Sequence, residues 1–138
     1  MASANGNGLV GLVLVSHSAS IAGGLAELVA QVAGPDVTIV TAGGGPDDTL
    51  GTDGGRVLEA LRTAGSEAGT VVLVDLGSSL LSVRAALAEL DDDEAARIIL
   101  ADAPLVEGAI AAGVIASTGA TLDDVAHAAE EARSVRKL

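Results

Sequence analysis

The sequence predicts an α/β domain, an open doubly wound parallel sheet of about four strands flanked by helices. Three observations carry this. Short apolar runs alternate along the chain with longer segments of helical periodicity. The runs are continuous rather than alternating, as in strands buried on both faces. Each run also ends in a loop of small and polar residues that can open the next helix. Alternation of this kind joins parallel strands by crossovers and places helices on both faces.

The first strand is Leu9 to Val15, LVGLVLV. Ser20 can cap a helix continuing to about Val32, with Ile21, Leu25, Leu28, Val29 and Val32 on one face, and Gly34-Pro35 stops it. Val37 to Val40 is a second short strand. Ala42 to Gly51, AGGGPDDTLG, is a loop by composition, and Thr52 or Asp53 caps a helix to about Thr63. Thr70 to Val74, TVVLV, is the third strand. Its exit, Asp75-Leu76-Gly77, leads to a helix begun by Ser78 or Ser79 and carrying Leu80, Leu81, Val83, Leu87 and Leu90. Asp91 to Asp93 reads as an acidic loop and Ala96 to Leu100 as the fourth strand. Pro104 opens a helix from Leu105 to about Ala116, and Thr121 with Asp124 opens the last one. The basic end, SVRKL, suits a helix C-terminus.

The 138 residues make one domain, residues 9–138, after a small Gly-rich tail over residues 1–8 that composition predicts to be flexible and unlike a signal peptide. With 49% hydrophobic residues but no Phe, Tyr or Trp, the core is built from Ala, Val, Leu, Ile and Gly. A net charge of −12 disfavours nucleic acid and anionic membrane surfaces and favours a basic protein partner. Having no cysteine excludes disulfides, zinc thiolate sites and thiol catalysis. No apolar stretch reaches the ~20 residues needed to span a bilayer.

In such folds function lies beyond the carboxyl ends of the strands, where strand order reverses. With the first and third strands adjacent there, His17 and Asp75 face each other. Neutral imidazole is a good nucleophile towards phosphorus, and a carboxylate can hold the other ring N–H and fix the tautomer. The helix start at Gly77-Ser78-Ser79 offers backbone and hydroxyl donors to phosphoryl oxygens. Ser16 and Ser18 can bond the ring or the phosphoryl group, and Thr52 can reach in from the second loop. Plainer alternatives stand beside each of these: a half-buried structural His, a strand-end turn at Asp75, ordinary capping at Gly77 to Ser79 and at Thr52. His127, in an acidic Ala-rich helix, reads as exposed and inert. Ser78, His17 and Asp75 could be drawn as a hydrolase triad, but there is no G-x-S-x-G elbow. There is no Walker A motif, and two distant histidines make a poor metal set.

VLVSHS at Val13 to Ser18 resembles the phosphorylated-His motif of the mannose-type IIA domains of the bacterial phosphotransferase system. GTD at Gly51 to Asp53, VDLGSSLLS at Val74 to Ser82 and APLVEGA at Ala103 to Ala109 bring it nearer to the phosphotransferase subunits (DhaM) of phosphoenolpyruvate-dependent dihydroxyacetone kinases. The resemblance implies a flavodoxin-like sheet of strand order 2-1-3-4 and usually a homodimer. It implies that His17 is the phosphorylated residue and that Asp75 orients its ring. It also implies a cytoplasmic relay: phosphoenolpyruvate to enzyme I, to HPr, to His17, then to ADP on the DhaL subunit, whose ATP phosphorylates dihydroxyacetone on DhaK. No cofactor would bind this chain directly; ADP and ATP belong to DhaL. Some relatives carry HPr-like and enzyme-I-like domains after this one, so a chain ending at Leu138 is expected to depend on free HPr. Two other outcomes stay open beside this relay: a sugar-transporter IIA domain donating to a IIB domain, and a non-catalytic module without transfer to a kinase. A plain α/β interaction domain is a third.

Overall fold

A computed structural model describes residues 8–138. The tail expected over residues 1–8 lies outside them except for Gly8. Four parallel strands, β1 (Gly11–Ser16), β2 (Ile39–Gly43), β3 (Thr70–Val74) and β4 (Ile98–Leu100), form one sheet in the order β2-β1-β3-β4. Among the described residues six α-helices flank it: α1 (Ala19–Ala33), α2 (Gly54–Thr63), α3 (Gly77–Leu87), α4 (Asp92–Ala96), α5 (Leu105–Ser117) and α6 (Leu122–Glu131).

The strand pleat divides the core. Leu12, Leu14, Val71 and Leu73 pack with α1, α5 and α6 on one face. Val13, Val15 and Val72 pack with α2 and α3 on the other. Each buried Leu or Val contributes about 1.5–3 kcal/mol relative to exposure, so two thin layers of aliphatic side chains replace the missing aromatics. Small residues let the helices come close. A Cβ on Gly113 of α5 would lie 2.6 Å from Val29 Cγ1 of α1.

Several boundaries differ from the sequence-based expectation, each for a local reason. The cap of α1 is Ser18, not Ser20: its Oγ accepts from the Ile21 N–H at 3.2 Å. Ala22, Leu25, Val29 and Ala33 form the buried face of α1, while Ile21, Leu28 and Val32 are exposed. The small Ala side chains let α1 lie close to the sheet and rotate its larger residues outward. β2 begins at Ile39 and runs into the expected loop, ending at Gly43. Asp91 to Asp93 starts a short helix, because Asp91 and Glu94 form a reciprocal capping box. β4 is accordingly shorter, starting at Ile98. The basic end follows directly on α6: a 3-10 turn, Ala132–Ser134, continues the helix into it. Arg133 reaches back to the Asp102 carboxylate at 3.2 Å, and Lys137 bonds Glu107 at 2.6 Å.

The register sets up one place in particular. β1 and β3 pair with Val15 opposite Val74, and the Asp75 N–H donates to the Val15 carbonyl at 3.2 Å. Neighbouring strands lie about 4.8 Å apart, so the loops leaving β1 and β3 emerge side by side. β2 lies on one side of β1, and β3 and β4 on the other, which makes this gap the point of reversal. Gly43 closes the β2 side: a Cβ there would come within 2.8 Å of the Ala19 Cα, so only glycine lets the end of β2 press against the start of α1.

Candidate active site

His17 and Asp75 meet across the gap between β1 and β3. The imidazole Nδ1 lies 3.0 Å from Asp75 Oδ1, and the His17 backbone N–H donates to Oδ2 at 2.9 Å. The side chains are 22% and 16% exposed, so the pair is sheltered but reachable. Three more donors converge on the carboxylate. Ser16 Oγ donates to Oδ2 at 2.9 Å, Ser79 Oγ donates to Oδ1 at 2.7 Å, and the Leu76 N–H donates to Oδ1 at 2.7 Å.

These bonds set the charge state. Burial acts to raise the pKa of Asp75, but the His17 N–H, the Ser79 hydroxyl, the His17 ring and the Ser16 hydroxyl together outweigh it. The carboxyl is held well below the ordinary aspartate range. An ionised Asp75 can only accept, so Nδ1 of a neutral His17 carries the proton and Nε2 carries the lone pair. Ser79 Oγ, 3.1 Å from Nδ1, shares that N–H while giving its own proton to Asp75. The Ser78 hydroxyl contacts Nε2 and, in this tautomer, donates to it. The ring is therefore fixed at one nitrogen and presented at the other.

The remaining expected residues divide between the site and its frame. Ser16 is fully buried; its hydroxyl serves Asp75 and accepts the Ser18 N–H at 3.1 Å, so it faces inward rather than towards an incoming group. Ser18 spends its hydroxyl as the cap of α1. The cap of α2 is Asp53, which frees Thr52: its Oγ1 lies 2.6 Å from Ser82 Oγ instead of reaching towards the ring. The Ser79 N–H is bonded to the Leu76 carbonyl at 3.0 Å. The Gly77 and Ser78 N–H groups at the start of α3 have no partner among the described residues and can accept an anion there. Sequence reasoning missed Ser82, four residues beyond Ser78 on the same helix face; that spacing was its only signal. It also missed Gly51, whose N–H donates to the His17 carbonyl at 2.9 Å.

Elsewhere, His127 is 71% exposed and pairs with Glu131 at 3.2 Å along α6. Among the described residues no three His, Cys, Asp or Glu are grouped to hold a metal ion. No helix among them is long and apolar enough to cross a membrane.

A fixed Nδ1–H, a presented Nε2 and free donors at a helix start form an arrangement able to accept a phosphoryl group. Comparison with known proteins agrees in kind. Residues 11–126 match the EIIA-man family, described as the PTS system fructose IIA component. This chain belongs to the EIIA-man family. It is 41% identical over 132 residues to a Providencia stuartii protein named as the phosphoryl donor subunit DhaM of phosphoenolpyruvate-dependent dihydroxyacetone kinase, covering 94% of this chain. The Escherichia coli protein of the same name is 39% identical, with 91% of this chain covered. The chain spans 28% of the length of each of these two relatives. A Listeria innocua DhaM is 37% identical over 106 residues, and the match covers 77% of this chain and 85% of that protein. The crystal structure of EF1359, described as a protein of unknown function, superposes with a TM-score of 0.80 at 32% identity, covering 89% of this chain and 94% of that one. The EIIA-man family match covers the segments that hold His17 and Asp75.

Proposed function

We propose that this chain is a phosphohistidine carrier that takes a phosphoryl group from phospho-HPr on His17 Nε2 and passes it to ADP bound on the DhaL subunit of a dihydroxyacetone kinase. The observation that carries the first half is the Asp75-held ring with Nε2 turned outward. The second half is supported by relatives named as the phosphoryl donor subunits of such kinases. A cytoplasmic location goes with this role. So does a homodimer, for which the exposed Ile21, Leu28 and Val32 of α1 offer an apolar stripe.

Transfer then needs little more than positioning and charge stabilisation. Ser78 turns away from Nε2, and the lone pair attacks phosphorus in line. The N–P bond to the donor imidazole breaks as the new one forms, and its electron pair stays on the donor ring. The Nδ1 proton remains on His17, and the charge of Asp75 balances the positive charge the ring gains. The freed Ser78 hydroxyl and the Gly77 and Ser78 N–H groups donate to the phosphoryl oxygens. Ser79 and Ser16 act through Asp75 as positioning residues.

A second reading, a IIA domain donating to a sugar-transporter IIB domain, is favoured by the family description itself. One experiment separates them. Intact mass is measured after incubation with phosphoenolpyruvate, enzyme I and HPr, for wild type and His17→Ala. An acid-labile gain of one phosphoryl in wild type only, discharged by ADP-loaded DhaL, is the expected result. Discharge by a IIB domain alone would favour the transporter reading. Labelling that no acceptor discharges would favour a signalling module. No gain in the folded wild type would overturn the carrier role.

A further inference from the structure

The contacts of His17 also meet the geometric requirement of a second chemistry. Asp75 Oδ1 lies 3.0 Å from Nδ1, and the Ser78 hydroxyl contacts Nε2. Carboxylate, imidazole and hydroxyl in that order make an acyl-transferring triad, which is recognised by geometry and roles rather than by sequence position. The absence of a G-x-S-x-G pattern is then no bar. That pattern builds a strained turn that exposes a serine. Here Ser78 is already exposed, as the second residue of α3.

Each member is in the state this chemistry needs. Asp75, ionised and fully engaged, keeps a proton on Nδ1, so the Nε2 lone pair is available to take the serine proton. Ser78 is itself braced. Ser82 Oγ donates to the Ser78 carbonyl at 3.3 Å, and Thr52 Oγ1 lies 2.6 Å from Ser82 Oγ. The Gly77 and Ser78 N–H groups have no partner among the described residues. They stand at the start of α3, beside the Ser78 hydroxyl, where an attacked carbonyl oxygen gains negative charge. A groove of about 610 Å³ leads from Asp75, Leu76 and Gly77 along Leu80 and Leu87 to Leu100. Its leucine walls suit a short hydrocarbon chain.

We propose that the unphosphorylated protein also hydrolyses small carboxylic esters with an apolar acyl group, using Ser78 as nucleophile, His17 as general base and acid, and Asp75 as the orienting carboxylate. The Ser78 Oγ–carbon bond forms as the hydroxyl proton passes to Nε2, and the Gly77 and Ser78 N–H groups donate to the carbonyl oxygen. Nε2 gives that proton to the leaving alcohol as the ester C–O bond breaks, which leaves an acyl-serine. Water then attacks the acyl carbon and gives a proton to Nε2. The proton returns to Ser78 Oγ as the carboxylic acid departs. Phosphorus on Nε2 removes the base, so the two chemistries exclude each other at a single atom.

The test uses the full chain, with p-nitrophenyl butyrate as substrate and a fluorophosphonate as a serine-directed label read by peptide mass. Wild type should hydrolyse the ester about tenfold or more faster than an equal concentration of N-acetylhistidine, and should take the label on Ser78. Ser78→Ala and His17→Ala should each lower the rate by about tenfold or more, and His127→Ala should change it by less than about twofold. Ser78 is exposed, so its removal leaves the core intact. Hydrolysis retained in Ser78→Ala would make His17 the direct nucleophile and overturn the proposal. So would a wild type no faster than N-acetylhistidine, or a label placed elsewhere. Charging wild type with phospho-HPr should abolish hydrolysis, and discharge should restore it; hydrolysis by the fully phosphorylated protein would also overturn the proposal. Only this last arm uses the carrier reading. A wild type that hydrolyses the ester but cannot be charged would overturn that reading and uphold the esterase.

Discussion

The two histidines form a natural comparison. Each sits about 3 Å from a carboxylate: His17 from Asp75 at 3.0 Å, and His127 from Glu131 at 3.2 Å. Pair distance alone does not distinguish them. The surroundings do. Glu131 is 68% exposed and pairs along its own helix, where water screens the interaction. Asp75 is reached from residue 16, residue 17 and residue 79 as well as its own loop, and those donors drive it to the charged form in a sheltered place. A carboxylate whose oxygens are all engaged cannot follow a moving ring, so it fixes the ring. That is the difference between a site and a solvated ion pair.

Substitution gives the widest contrast. His17→Ala should abolish acid-labile phosphorylation. His127→Ala should leave its rate unchanged and alter stability by no more than ~0.5 kcal/mol, measured by urea unfolding. Comparable losses of labelling in both would erase the distinction. Next, Asp75→Ala strands the Ser16 and Ser79 hydroxyls and frees the ring. A rate loss on the order of 100-fold is expected from misplacement alone, with a stability loss of about 1–3 kcal/mol, read from single-turnover labelling and unfolding. Glu131→Ala should do neither. A smaller effect is expected at the frame. Thr52→Val and Ser82→Ala should each cost about 1 kcal/mol, and the double variant little more than either single one, because both remove the same bond.

The smallest effect lies in pH. The donors around Asp75 hold its folded-state pKa below the ordinary value of 3.8, so the unfolded chain binds that proton first as pH falls. The stabilisation from Asp75 is thus complete above that value and is lost progressively below it. Urea midpoints of wild type and Asp75→Asn should differ by a constant amount from neutral pH to about pH 5 and converge in stronger acid.

Much of this contrast is legible in the sequence, for a physical reason. Continuous apolar runs such as LVGLVLV and TVVLV leave few alternatives to parallel buried strands, and the residues just beyond them share one sheet edge. His17 and Asp75 follow from that alone. The hydroxyls do not. Ser16, Ser18, Ser78, Ser79 and Thr52 all have the chemistry to bind an anion, but which one caps, which one braces and which one faces outward depends on rotamer and on exact helix starts. A shift of two residues moved the cap of α1 from Ser20 to Ser18 and removed Ser18 from the list of free donors. Long-range bonds such as Thr52 to Ser82 leave no trace in local pattern. The exposed face of α1 was misread because Ala was undervalued: a helix that buries Ala22 and Ala33 can turn Ile21, Leu28 and Val32 out.

A chain with no Phe, Tyr or Trp and only two imidazoles has another consequence. In a proton magnetic-resonance spectrum recorded in heavy water, once the amides have exchanged, the aromatic window holds only the carbon-bound ring protons of His17 and His127. One ring sits in the hydrogen-bonded cleft and the other stands in solvent. The molecule thus carries a reporter and its own internal reference. The arrival and departure of a phosphoryl group could be followed in real time on unlabelled protein, with the His127 signals marking the baseline.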